Sequence, residues 1–307
     1  MKKLITVLLA LLITLLVYAY QDILIENTIY LINNIRQPSY TTTNNLYSKN
    51  MNFSYVYTTN DLTPHNTQDI LNILYTALDR RYASVTFYCP IEYDECIEDV
   101  AEITSRANDE ELTIIGNLVS PYNNFTNISI YYDTSGKVNL GFSYLYDDDM
   151  VRDTESFLNE VMSNTIQSSM TTTEKIRAFH DYIVKYSEYD TKYEGELALY
   201  GKGLHQSNTA YGLFKNKLAI CTGYADTMAL LLDRINVENF KVASETHIWN
   251  VVKLDGVYYH IDATWDDPTN NVFGTISDKF FMISTETLQE LDNTSHIFDK
   301  SVYLELK

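Results

Sequence analysis

The chain has 307 residues, with 41 acidic side chains against 22 basic ones, a formal net charge of −19 and a pI near 4.6. A field of that sign repels phosphate backbones and anionic headgroups alike, which excludes nucleic acid as a partner and charge-driven adsorption to a membrane. The length allows two modest domains, each with its own core, and the surplus of acid reads as a solvated surface.

In chain order, Lys2 and Lys3 precede an uncharged apolar run from Leu4 to Tyr20, the layout of a signal peptide or membrane anchor over residues 1–20. An extracytoplasmic protein is expected, either secreted or held at the membrane by this segment. Val17 and Ala19 are small enough for cleavage after Ala19. Ile25, Ile29 and Ile32 nevertheless prolong an apolar stripe at helical spacing, so cleavage and retention both stay open. Residues 21–50 read as a helical stalk and linker, because Pro38 to Asn50 is rich in Ser, Thr and Asn and shows no periodicity.

Residues 51–150 read as a small α+β domain. Phe53, Tyr55 and Tyr57 alternate as in a strand, and Thr67 to Arg81 carries Ile70, Leu71, Leu74 and Leu78 on one helical face. A strand over Ala83 to Cys89 and a helix over Tyr93 to Arg106 follow. Ile128 to Tyr132 and Val138 to Tyr146 then form a hairpin about Asp133-Thr134-Ser135-Gly136. The run from Glu92 to Glu111 holds nine acids against Arg106 alone, but lacks the alternating ligands and central Gly of a calcium loop, and reads as an exposed helix face. His65, beside Pro64, reads as a surface loop residue. Cys89 and Cys96 either pair across a turn at Pro90 or stay as two buried thiols; in both cases Cys221 is left over.

Residues 151–307 hold the chemistry. Helices are expected over Asp153 to Gln167 and Thr173 to Tyr186, the second capped by Thr172 or Thr173 with Glu174 following. His180 and Asp181 on that helix read as structural. Glu188 to Gly203, rich in Tyr, Gly and charge, reads as a mobile loop. Beyond it, Ala225, Met228, Ala229, Leu232 and Ile235 repeat at helical spacing, and Cys221 lies one turn before Ala225. The cysteine therefore points inward at a helix N-terminus, where unpaired N–H groups and the helix dipole favour thiolate over thiol. Gly223 would let a substrate or a strand approach the backbone. Alone, a cysteine at a helix start reads more readily as a buried structural thiol than as a nucleophile.

The next stretch supplies partners for it. Thr246 to Leu254 and Val257 to Thr264 are β-rich runs joined at Asp255-Gly256, the preferred pair for a type I′ turn. With that turn Leu254 faces Val257, Trp249 faces Asp262 and His247 faces Thr264, which makes His247 and Asp262 diagonal neighbours on one face. An imidazole oriented by a carboxylate is what a thiol nucleophile needs: the ring takes its proton, and the carboxylate fixes the tautomer and supports the imidazolium.

The order Cys221, His247, Asp262, with CTGYA, HIWNVVKLDGVYYHIDATWDDP and the preceding TAYGLF at Thr209 to Phe214, resembles the transglutaminase-like superfamily, in the form of bacterial, often clostridial, exported proteins. The resemblance runs from KIRAFHDYIVKYSEYD at Lys175 to KFFMIS ending at Ser284. It implies a papain-related α+β domain over 151–307, with the cysteine helix packed on an antiparallel sheet, and acyl transfer through a thioester on protein or peptide carboxamides. No cofactor is implied. Family members often carry Gly-Val before the cysteine and Gln after it, where this chain has Ala219-Ile220 and Thr222.

For the oxyanion, the Cys221 N–H is one donor, and Gln206, Asn208 and Tyr211 are candidates for the other, Tyr211 being preferred. His260 shares the hairpin face of His247 and Asp262. A metal held by Cys221, His247, His260 and Asp262 is set aside because the spacing fits no common zinc pattern. Trp249 and Trp265 wall the cleft or fill the core, and Asp266 and Asp267 end the strand in a turn. The expected partner is a protein or peptide, on a cell surface or in a cell wall. Two other readings compete: a non-catalytic binding or adhesion module that keeps the fold, and a cell-wall peptidase or amidase on the same scaffold.

Overall fold

A computed structural model describes residues 2–25, 28, 36–44, 47–49, 51–105, 109–201, 203–267 and 276–307. Helix α1, Lys2–Ala19, buries none of its side chains. Its mean hydropathy of 2.1 over 18 residues is that of a signal sequence or a membrane anchor. Ile29, Ile32, Asn50, Arg106 and Pro268 lie outside the described residues.

Among the described residues the strands form two four-stranded sheets and one two-stranded sheet. In the first, β1 (Ser39–Thr42), β2 (Tyr82–Tyr88), β3 (Phe125–Tyr132) and β4 (Lys137–Tyr144) lie in the antiparallel order β1-β2-β4-β3. The linker expected over Pro38 to Asn50 thus contains an edge strand. All four β1 residues are solvent-exposed, so nothing selects an apolar alternation that a sequence could display. Stacking of Tyr40 on Tyr82 and a Thr41–Ser84 hydroxyl pair hold it in place. Conversely, the alternation at Phe53, Tyr55 and Tyr57 belongs to no ladder. Phe53 and Val56 are plugs in the core, and the local N–H groups find side chains instead, Tyr57 donating to Asn72 Oδ1 at 3.2 Å and Ser54 to Glu305 Oε1 at 2.8 Å.

Helix α2, Thr67–Asp79, packs on β2, and α3, Cys96–Ile103, begins where the Cys89–Cys96 disulfide ties it to the end of β2. Helix α4, Asp109–Leu118, was not evident beside the acidic run; Ile114, Ile115 and Leu118 bury its apolar side. Helices α5, Asp148–Thr165, and α6, Thr172–Tyr186, come next. The cap of α6 is Thr171, one residue earlier than expected. Of three consecutive threonines only Thr171 stands three residues before Glu174, and the two residues exchange both hydrogen bonds of a capping box.

The second sheet has the order β10-β9-β8-β7, from Phe281–Ile283, Val257–Ile261, Ile248–Leu254 and Asn239–Ala243. Helix α9, Cys221–Arg234, packs on β8 and β7 on one side and on α6 and α8 (Ala210–Asn216) on the other, so every residue from Gly223 to Leu232 is buried. Such burial admits no solvated face. Asp226, inside α9, is compensated by Lys241 Nζ at 2.6 Å and by Asn124 Nδ2 at 2.9 Å. Strand β8 alternates between two apolar clusters, with Trp249 and Val251 in one and Val252 in the other. The first cluster also takes in the residues beneath β2 and β4, where Phe53 meets Phe240 edge-on at 5.5 Å. The interiors of the two sheets are therefore continuous.

Removing one partner of a buried pair leaves an uncompensated charge. Lys241→Met is expected to lower the unfolding free energy by about 3–5 kcal/mol in urea titrations, and Asp226→Leu in the same chain to restore most of the loss.

Candidate active site

The segment that delivers Cys221 is held on both sides by its own chain. Helix α8 ends with Lys217 in the left-handed region (φ 58°), β6 (Leu218–Ala219) pairs in parallel with β5 (Glu188–Tyr189), and Ile220 is the extended N-cap of α9. Ile220 N–H donates to Ser207 O at 2.9 Å. A Cβ on Gly223 would lie 2.3 Å from that same carbonyl oxygen. Close approach at Gly223 is thus made by residues 207–209, not by a substrate. The cysteine is half-buried, at a position where the first N–H groups of the helix have no intrahelical acceptor.

The hairpin forms as its turn dictates. Asp255 and Gly256 both have positive φ, 52° and 81°, as type I′ demands, and Leu254 pairs with Val257. Counting along the ladder brings Trp249 opposite Asp262, and His247 Nε2 lies 2.6 Å from Asp262 Oδ2. That contact occupies Nε2, which leaves Nδ1 for Cys221. Burial alone would lower the His247 pKa; the Asp262 carboxylate, its hydrogen bond and the Cys221 sulfur outweigh this and raise it to about 10. Burial would likewise raise the Asp262 pKa, but His247 and His296 hold it far below the usual carboxylate range.

Asp262 is saturated. Oδ2 also meets His296 Nε2 at 2.9 Å, while Oδ1 accepts from the N–H groups of Thr264 at 2.9 Å and Trp265 at 3.1 Å. His296 was missed by sequence reasoning, because it stands 34 residues away in a segment without a recognisable motif. One donor atom each from His247, Asp262 and His296 fall within 4.8 Å of one another, a set that would suit a metal ion. Here those groups are joined to each other by hydrogen bonds. His260 is engaged elsewhere. Its Nδ1 accepts from Trp249 Nε1 at 2.9 Å and its Nε2 faces Thr285 Oγ1 at 3.0 Å, while burial and the charge of His296 push its pKa down to about 3.

Trp249 lies in the core with its ring parallel to His247 at 5.8 Å, whereas Trp265 is 38% exposed and walls the site at 5.9 Å. Asp266 anchors the loop that carries Asp262. Its backbone N–H returns to Asp262 O, its carboxylate faces His180 Nε2 at 3.0 Å, and His180 Nδ1 faces Asp181. Asp267 accepts from Tyr224 OH.

Of the candidate oxyanion donors, Asn208 lines a cleft beside Cys221, whereas Tyr211 packs edge-on against Phe214 at 5.3 Å and Gln206 Nε2 turns toward Met150 Sδ. Within the loop expected over Glu188 to Gly203 lie β5 and a helix, α7, Tyr193–Tyr200. Tyr189 and Tyr193 on it are half-buried, and burial raises both phenol pKa values, with the charge at Cys221 adding to each. They are the aromatic groups on the cysteine side that sequence reasoning did not single out. The cleft, about 460 Å³, has Tyr193, Asn208, Ile220 and Thr222 on one wall and Leu112, Phe125 and Ile128 of the N-terminal half on the other.

No family model matches the sequence. No curated protein matches it. Similar solved structures include one described as a TGase, 13% identical over 55% of this chain and 50% of that one with a TM-score of 0.35. Another is a candidate cysteine protease from Cytophaga hutchinsonii, 12% identical over 45% of this chain and 61% of that one with a TM-score of 0.28. The likeness is partial, and what the site can do follows from its own distances.

Cys221 is the free thiol beside the Cys89–Cys96 disulfide, so non-reducing alkylation reads it alone. His247→Ala should slow iodoacetamide alkylation of Cys221 at pH 7 by about tenfold or more, as expected when a thiol loses the imidazole that takes its proton. Because the folded-state pKa of His247 lies above its ordinary 6.5, the stability it contributes is complete below pH 6.5 and is lost as pH rises through about 10. Asp262→Asn should flatten this decline in urea titrations between pH 6 and pH 10.

Proposed function

We propose that the chain is an exported cysteine acyl-transfer enzyme acting on carboxamides of proteins or peptides. The observation that carries this reading is a single one: a half-exposed thiol at the N-terminus of a buried helix, with an imidazole beside it that is fixed by a buried carboxylate at 2.6 Å. A binding module has no need of a carboxylate that is buried, ionised and hydrogen-bonded on every lone pair next to a thiol-facing histidine.

In the proposed reaction the proton of Cys221 resides on His247 Nδ1, and the Cys221 sulfur attacks the carbonyl carbon of the carboxamide. The Cys221 N–H and the next helical N–H groups are directed at the charge that develops on the carbonyl oxygen, with Asn208 as the side-chain candidate in the cleft. His247 then returns the proton to the departing nitrogen, ammonia leaves, and a thioester forms between Sγ and the acyl carbon. An amine or water attacks that thioester, giving up a proton to His247, and Cys221 is regenerated. Asp262 keeps Nε2 protonated throughout, so that Nδ1 is the nitrogen that exchanges protons.

The continuous wall formed by the N-terminal half beside Cys221 suits a polypeptide substrate better than a small free amide. In the presence of dimethylcasein and a dansylated amine, the wild-type chain is expected to incorporate the amine or to release ammonia. Cys221→Ala should abolish both, and His247→Ala should reduce the rate by about a thousandfold or more. Amine incorporation identifies a transferase, and ammonia release without incorporation identifies a deamidase. A wild-type rate no higher than that of Cys221→Ala on dimethylcasein and on peptidoglycan fragments would sink the enzymatic reading.

A further inference from the structure

His296 is tied to the site by more than proximity. Its side chain is fully buried, with Nε2 2.9 Å from Asp262 Oδ2 and Nδ1 2.7 Å from Asp292 Oδ2. The ring is stacked on Phe280 at 5.1 Å and meets Trp249, Trp265 and His247 edge-on at 4.8, 4.6 and 5.1 Å, which leaves it one orientation. Asp292 is itself immobilised, because its oxygens accept the N–H groups of Thr294, Ser295 and His296 and the Thr294 hydroxyl. A further hydrogen bond, from Ser244 Oγ to Ser295 O at 2.6 Å, joins this turn to the turn that presents His247.

These contacts fix the protonation of the ring. A carboxylate can only accept, so a histidine facing two ionised carboxylates through both nitrogens must donate from both and carry a charge. The hydrogen bonds to Asp292 keep its pKa down at about 2 despite some desolvation, and Asp262 is held lower still. The charged and titratable groups around His296 are thus Asp262, Asp292, His247 and His260. Asp262 therefore answers to two imidazolium rings on one oxygen.

We propose that His296 is a positioning residue that locks the Asp262 carboxylate and divides its charge between two rings, so that His247 is oriented by only part of that charge. Asp262 facing His247 alone in this dry pocket would stabilise the imidazolium strongly enough to oppose proton return to a leaving group. A second cation on the same oxygen weakens that hold while preserving the geometry. The proposal rests on Cys221 and His247 being the reacting pair only in its consequence for turnover.

The test uses the full chain in detergent micelles with ring-labelled histidine, following all six histidines by NMR across pH. His296→Gln keeps an amide donor toward Asp262 and removes the charge. The His247 midpoint is expected to rise by about one unit or more in that variant, the scale set by a single charge within about 6 Å. Asp292→Asn, which frees His296 from its second carboxylate, should shift the midpoint in the same direction by less, and serves if His296→Gln does not fold. The alkaline limb of the pH profile for amine incorporation or ammonia release should follow the same shift, with KM little changed. An unmoved His247 midpoint in the folded variants overturns the proposal, as does an unprotonated ring nitrogen on wild-type His296 at pH 7. Failure of the acyl-transfer reading is distinguishable: the wild type would then show no turnover while the His247 midpoint still responds to His296→Gln.

Discussion

A single buried carboxylate sets the terms for the C-terminal half of the molecule. Burying a charge costs several kcal/mol unless every lone pair is met, and Asp262 meets that requirement with two imidazoles and two backbone N–H groups. These four donors come from three pieces of chain: the residue just before β8, the segment after α10 (Thr285–Leu291), and the turn that follows β9. Satisfying one aspartate therefore fixes where three segments sit relative to one another. The loop that carries it is secured by Asp266 and His180, a second buried pairing.

The parts of this site that the sequence displays are those governed by local rules. Asp255-Gly256 admits one turn type, the turn fixes the register, and the register puts His247 and Asp262 on one face before any coordinate is known. The helix behind Cys221 is legible from its apolar period, although the period alone does not reveal that α9 is buried all round, because Asp226 is neutralised by Lys241 from another element. His296 was illegible for the same reason: the partner that ties it to the site, Asp262, lies 34 residues back and across a tertiary contact. Where local rules fail, burial decides. Phe53 looks like one face of a strand but is a plug, and β1 looks like linker because neither of its faces is covered.

The relation between the two halves bears on substrate choice. The apolar interior runs without a break from beneath the first sheet to β7 and β8, and the same contact shapes the cleft beside Cys221. The Asn124–Asp226–Lys241 cluster lies at that junction: Lys241 neutralises the charge inside the cysteine helix, and Asn124 of the N-terminal half donates a hydrogen bond to the same carboxylate. The N-terminal half is thereby part of the site's wall and of its electrostatics. Its sequence gives no hint of this, since none of its wall residues carries chemistry of its own.

The disulfide has a consequence for the fate of Cys221. With Cys89 and Cys96 joined to each other, no second thiol exists anywhere in the chain. A sulfenic acid formed on a half-exposed cysteine is normally rescued by a neighbouring sulfhydryl, and here there is none to close an internal bond. Recovery from oxidation must come from an external reductant, so the working lifetime of this site is set by the redox conditions around it as well as by the stability of the fold.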